Sequence, residues 1–164
     1  MRREEYDEAG RVTAEAYREF RELVEDDPDE AHAWDDYLVR IADVAGRDPV
    51  APVLVAVEDG RIIGTLTLEL EDRISTDDHG PLPPSHAHVR MLGVDPDARG
   101  HGVARALMDA AIEIARSEGK TLLTLNTTRR MQAAQQLYEA MGFRRDPDRV
   151  FPDGFVLLAY SLEI

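Results

Sequence analysis

Residues 94–108 read "VDPDARGHGVARALM". Val94 closes an apolar, strand-like run, and Asp95–Pro96 stops it, because proline cannot donate to a sheet ladder. From about Gly102 the pattern turns helical, with Val103, Leu107, Ala111 and Ile114 on one stripe as far as Ser117. The first turn of a helix carries backbone N–H groups without intrahelical partners, and the helix dipole adds positive character there. Gly100 and Gly102 lack Cβ atoms, so a ligand can approach the backbone closely, while Arg99 and Arg105 add formal charge. Two readings stand at this point: an ordinary strand-to-helix turn, or a seat for a phosphate. Two familiar phosphate loops are excluded. The Gly-Lys-Ser/Thr ending of the Walker loop is absent. A dinucleotide fingerprint fails because Arg105 stands where "GHGVAR" needs a third glycine, "DPDAR" separates it from Val94, and the next strand ends in Asn126 rather than an acid.

Working outward, residues 4–24 and a segment capped by Asp27 with Pro28 at its first position predict two helices. The first carries Val12, Ala16, Phe20 and Leu23 at helical spacing. The second carries Trp34, Leu38 and Ile41 and runs to about Gly46. "VLVAV", "EDG" and "RIIGTLTLEL" predict a hairpin. "RISTDDHGPLPPS" (73–85) is loop by composition, and "HAHVRMLGV" is the strand that feeds the opening loop. Downstream, "TLLTLNT" predicts a central strand, "MQAAQQLYEAM" a helix closed by Gly142, "FRR" a short strand and "GFVLLAYSLEI" the last strand. The order implies an α/β fold with one mixed sheet and helices on its faces. The length of 164 residues fits a single domain, 1–164.

Composition narrows the function classes. The net charge of −14 disfavours nucleic acid and anionic membranes as partners. No run approaches the roughly 18 apolar residues of a bilayer span, and "MRREEYDEAG" has no apolar segment behind its basic residues, so it does not read as a signal peptide. The absence of cysteine removes disulfides, thiolate metal sites and a cysteine nucleophile, leaving a cytoplasmic protein as the default. Lys120 is the only lysine.

What remains in the loop is Arg-x-x-Gly-x-Ala (Arg99, Gly102, Ala104) after a strand ending "MLGVDP", with "LYEAMGF" about thirty residues on. Over residues 51–164 this combination resembles the GNAT superfamily of acetyl-CoA-dependent N-acetyltransferases. The resemblance implies a mostly antiparallel mixed sheet, splayed centrally at the cofactor site, with helices on both faces. It implies that Leu92, Gly93 and Val94 pair with the pantetheine arm of acetyl-CoA, with Gly93 marking the bulge that opens the gap. The backbone N–H groups of Arg99, Gly100, His101, Gly102, Val103, Ala104 and Arg105 would hold the pyrophosphate, and a strand amide near Leu92–Val94 would polarise the thioester carbonyl. Asn126 and Gln132 stand where the family often has cofactor-contacting side chains. Such proteins usually begin with a short strand, and this chain begins almost in the helix.

Tyr138 is the candidate general acid for the departing thiolate, its ordinary pKa of about 10 lying close to a thiol's; on helix spacing alone it would simply pack beside Leu137 and Met141. His88 is the candidate general base, since strand alternation sets His86, His88, Arg90, Leu92 and Val94 on one face. The alternatives are a solvated edge histidine at 88, with Glu69 or Glu71 on the adjoining strand acting through water. His79, His86 and His88 raise a metal reading, but the loop is irregular and lacks cysteine, so no metal is expected. The leading function is acetyl transfer to a primary amine of a small molecule or protein. Against it stand a catalytically silent acetyl-CoA-binding module, which could dispense with Tyr138, and a tRNA-acetylating toxin, which the charge disfavours. Whether two chains pair as a homodimer is left open.

Overall fold

The computed structural model describes residues 3–24, 26–74, 80–152 and 154–164. In chain order the elements are α1 (Arg3–Glu22), α2 (Pro28–Ala42), α3 (Val44–Arg47), β1 (Val53–Glu58), β2 (Arg61–Glu69), β3 (His86–Val94), α4 (Val103–Ser117), β4 (Leu122–Thr127), α5 (Gln132–Ala140), β5 (Arg144–Arg145), β6 (Arg149–Val150) and β7 (Val156–Glu163). The strand order is β1-β2-β3-β4-β7-β5, with β6 also on β7. β3 and β4 run parallel, whereas β1–β2, β4–β7, β5–β7 and β6–β7 are antiparallel. This is the mixed sheet that the element order implied, and the mostly antiparallel one that the family resemblance implied. The chain divides into two compact units: Met1–Thr67 with Met91–Asp109, and Leu68–Arg90 with Ala110–Ile164.

In the first unit, α1 is the first described element, so no strand precedes it among the described residues. Its stripe buries Ala9, Val12 and Ala16, but Leu23 lies one residue past the helix end and is 64% exposed, so it does not extend the stripe as the spacing implied. Gly10 lets α2 come close, since a Cβ there would sit 2.2 Å from the Ala42 carbonyl oxygen. The α2 start follows the sequence: Asp27 Oδ1 accepts from the N–H groups of Asp29 and Glu30, with Pro28 in the first turn. Its end does not. The helix breaks at Asp43 instead of running to Gly46, because the Asp43 carboxylate accepts from the Gly46 N–H at 2.9 Å and starts α3. The buried Arg47 guanidinium fills that break, donating to the carbonyls of Ile41 (2.9 Å) and Asp43 (3.1 Å) and to Thr67 Oγ1. The β1–β2 hairpin turns on Asp59 and Gly60, both with positive φ, the geometry that two-residue hairpins favour. Thr13 ties α1 to the sheet: it donates to the Ala9 carbonyl, so its oxygen accepts from Thr65 Oγ1 at 2.7 Å.

The second unit is organised by alternation. His86–Val89 pair with Leu122–Leu125, and β4 pairs along its length with β7. Residues opposite each other share a face. Leu123, Leu125, Leu158 and Tyr160 therefore build an apolar face, all at most 5% exposed. His86, His88, Thr124 and Asn126 fall on the other face. α5 lies against the apolar face through Tyr138, whose ring centroid is 5.9 Å from those of Tyr160 and Phe143. Lys120 sits before β4, and its ammonium donates to the carbonyls of Leu70 and Pro84 (2.9 Å to the latter). The only lysine thus fastens together the two ends of the long 70–85 connection. Part of that loop, including His79, lies outside the described residues.

Candidate functional site

The loop that opened the sequence reading lies wholly in the first unit. Asp95 Oδ1 accepts from the Asp97 N–H and starts a 3₁₀ turn at Pro96–Ala98, after which Arg99 is extended. Gly100 and Gly102 adopt φ values of +80° and +81°, which side chains resist. A Cβ added at either would meet nothing within 4 Å. The first helical bond of α4 runs from the Ala106 N–H to the Gly102 carbonyl, at 3.0 Å. The N–H groups of Val103, Ala104 and Arg105 therefore precede any intrahelical acceptor, and the first turn holds no acidic residue. Open space, left-handed glycines and donor-rich backbone without a competing carboxylate fit a diphosphate. The arginines contribute differently from one another. The Arg99 guanidinium turns to α1, donating to Glu19 at 3.1 Å and to the Ala16 carbonyl at 3.2 Å, so it braces the loop. Arg105 makes a long 3.9 Å contact with Asp109 at an exposed position, worth little. His101 is exposed, its Nδ1 3.4 Å from the Ala98 carbonyl.

The end of β3 corrects one expectation. The left-handed residue is Met91, at φ +53°, rather than Gly93. A left-handed residue interrupts strand alternation where it stands. Gly93 has a packing reason instead: a Cβ there would lie 2.9 Å from the Ala16 Cβ on α1. Leu92 and Val94 are half-buried beside it.

The second unit holds a cavity of about 160 Å³, lined by His86, His88, Thr124 and Asn126 from the strands, Pro81–Pro83 from the loop, and Asp146, Arg149 and Tyr160. His88 is 1% exposed on an internal strand, so it is not a solvated edge histidine. Its Nδ1 lies 2.8 Å from Thr124 Oγ1. Glu69, fully buried at the end of β2, accepts from Arg90 at 3.4 Å. Glu71 lies past the strand and pairs with Arg73 on the surface, so it does not share the strand position expected of it. Asn126 lines the cavity, whereas Gln132 is exposed at the start of α5. Thr124, Asp146 and Arg149 escaped the sequence reading. Thr124 could have been found by carrying the alternation of β3 across to β4. The other two depend on how the β5–β6 turn folds. Among the described residues no cluster of three His, Asp or Glu side chains could hold a metal ion.

Tyr138 is buried, and burial pushes its phenol well above the usual tyrosine range, with the neighbouring Tyr160 adding to the shift. It therefore stays protonated, the form a general acid needs. Tyr160 is also raised, first by burial and then by its hydrogen bond to Glu139 at 3.3 Å.

The sequence profile of the acetyltransferase (GNAT) family matches residues 11–143, and the chain belongs to that family. It is 33% identical over 91 residues to the zebrafish (Danio rerio) N-acetylaspartate synthetase, an alignment spanning 56% of this chain and 29% of that protein. Against the mycothiol acetyltransferase of Beutenbergia cavernae, 31% identity extends over 52% of this chain and 25% of the relative. The chain thus spans under a third of the length of either relative. A GNAT-family acetyltransferase of Staphylococcus aureus Mu50 shares the fold with a TM-score of 0.70 at 16% identity, over 99% of this chain and 95% of its own. No described helix is long and apolar enough to cross a membrane.

Proposed function

We propose that residues 1–164 act as one cytoplasmic N-acetyltransferase domain, moving the acetyl group of acetyl-CoA to a primary amine of a small molecule or protein by direct attack. The observation that carries this reading is the 99–105 loop, with two left-handed glycines facing open space ahead of a helix whose first turn holds no acidic residue. Acetyl-CoA would supply the activated thioester. The backbone of Arg99–Arg105 would hold its pyrophosphate, and Leu92–Val94 would lie along its pantetheine arm. Asn126 would stand beside the reacting groups. His88 takes the proton that the acceptor ammonium must lose before its nitrogen can attack. Tyr138, kept neutral by burial, gives its proton to the sulfur as the C–S bond breaks, and the second proton shed by the acylated nitrogen restores the phenol.

The test is a melting scan with acetyl-CoA, followed by thiol release against amino acids, polyamines and short peptides with free N-termini. A rise in Tm that grows with acetyl-CoA, and amine-dependent thiol release, are expected. No shift at saturating acetyl-CoA would remove the reading.

A further inference from the structure

His88 and Thr124 are direct partners in the parallel β3–β4 ladder, and both line the cavity of the second unit. Two hydrogen bonds meet at the threonine oxygen. Thr124 Oγ1 lies 3.1 Å from the Ala87 carbonyl and 2.8 Å from His88 Nδ1. A carbonyl can only accept, and a hydroxyl has one proton to give. With that proton committed to Ala87, the oxygen can meet His88 only as an acceptor, so the imidazole must present N–H at Nδ1. A neutral imidazole has one donor nitrogen and one acceptor nitrogen, and the partner of one fixes the role of the other.

We propose that Thr124 is a positioning residue for the transfer reaction, holding His88 as the Nδ1–H tautomer so that Nε2 is the atom that takes the acceptor's proton. This rests on the reading of His88 as the base. The proton leaves the ammonium nitrogen for Nε2, the ring becomes imidazolium, and the Nδ1–H bond to Thr124 is kept throughout. The ring has no need to flip between its two states, and the imidazolium returns its proton from Nε2 to solvent before the next turnover. The register explains why a threonine suits position 124. Its side chain stands beside His88, its hydroxyl reaches the Ala87 carbonyl, and serine is the only other short hydroxyl that could repeat both contacts.

Long-range ¹⁵N–¹H correlation spectra of the full chain read the tautomer directly, with His88 assigned among the five histidines by the signal lost in His88→Gln. The wild type should show the proton on Nδ1. Thr124→Ser should keep it there, and Thr124→Val should lose that preference. With the fastest amine of the panel, Thr124→Val should lower kcat/KM roughly 10- to 100-fold, short of the roughly 10²–10⁴ that losing a positioned base altogether would cost, with unchanged acetyl-CoA affinity. Thr124→Ser should recover most of the rate. An Nε2–H signal in the wild type overturns the proposal whatever the stability of the variants, and leaves the base role standing if His88→Gln is inactive. A valine variant with wild-type kcat/KM, or a serine variant as slow as valine, also overturns it. Full activity in His88→Gln overturns the base reading itself, and this proposal with it.

Discussion

Gly102 and Gly60 form a natural matched pair. Both have positive φ (+81° and +77°), and a Cβ at either position would meet nothing within 4 Å. They differ in what surrounds them: Gly60 turns a hairpin, while Gly102 stands at the mouth of α4. Replacing either by alanine forces an L side chain into left-handed backbone, at about 1–2 kcal/mol. For a chain of this size, each kcal/mol moves Tm by roughly 2–4 °C, so both variants should melt roughly 2–8 °C lower. Only Gly102→Ala should also weaken acetyl-CoA, because its methyl enters the space assigned to the pyrophosphate. Loss of one hydrogen bond to a charged oxygen is worth about 1.5–3 kcal/mol, which corresponds to roughly 10- to 150-fold in Kd. Calorimetric titration of both variants reads the difference, because the strain is common to the two. Equal changes in Kd, or none in Gly102→Ala, would refute the assignment of the loop. The larger Gly102→Val should exaggerate the affinity loss.

Two further outcomes follow from packing and burial. Gly93→Ala should destabilise by about 1–3 kcal/mol, as overpacked sites do, because its Cβ would meet Ala16 Cβ at 2.9 Å. Urea unfolding of Gly93→Ala, Ala16→Gly and the double variant should show the two changes offsetting each other, and strict additivity would discard the contact as the cause. Tyr138→Phe should lower turnover with little effect on acetyl-CoA affinity, and unchanged turnover would remove the acid role. The same variant should change the alkaline limb of stability. The folded-state pKa is raised, so the neutral phenol's contribution is fully present below the unfolded value of about 10 and is lost as pH rises through the folded one. Wild type should therefore lose Tm more steeply than the phenylalanine variant above that pH.

The features legible in the sequence were those written in local chemistry. Asp27 with Pro28 announces a helix start whatever surrounds it, and Asp-Gly at 59–60 announces a hairpin. The strand-loop-helix at 94–108 was legible for the same reason. Three features escaped because they are settled at a distance. Met91 takes the left-handed conformation beside a glycine that seemed the better candidate, since Gly93 is needed for contact with α1. The α2 break at Asp43 depends on Arg47 folding back to receive the freed carbonyls. His88 in "HAHVRM" has the alternation of a half-solvated strand, yet it is 1% exposed on an internal strand. Of the candidate site, the loop could be read directly, whereas the cavity required the β3–β4 register.

The placement of Lys120 bears on how this protein endures its own reagent. Thioesters slowly acylate lysine side chains without any enzyme, and most proteins offer many such amines. This chain offers one, and its ammonium is committed to the carbonyls of Leu70 and Pro84. Arginine, which carries most of the positive charge here, is inert to acyl transfer at neutral pH. Prolonged incubation with acetyl-CoA should therefore leave the side chains almost unacetylated, as peptide mapping would read. Any adduct that forms at position 120 reports a moment when the long loop came undone.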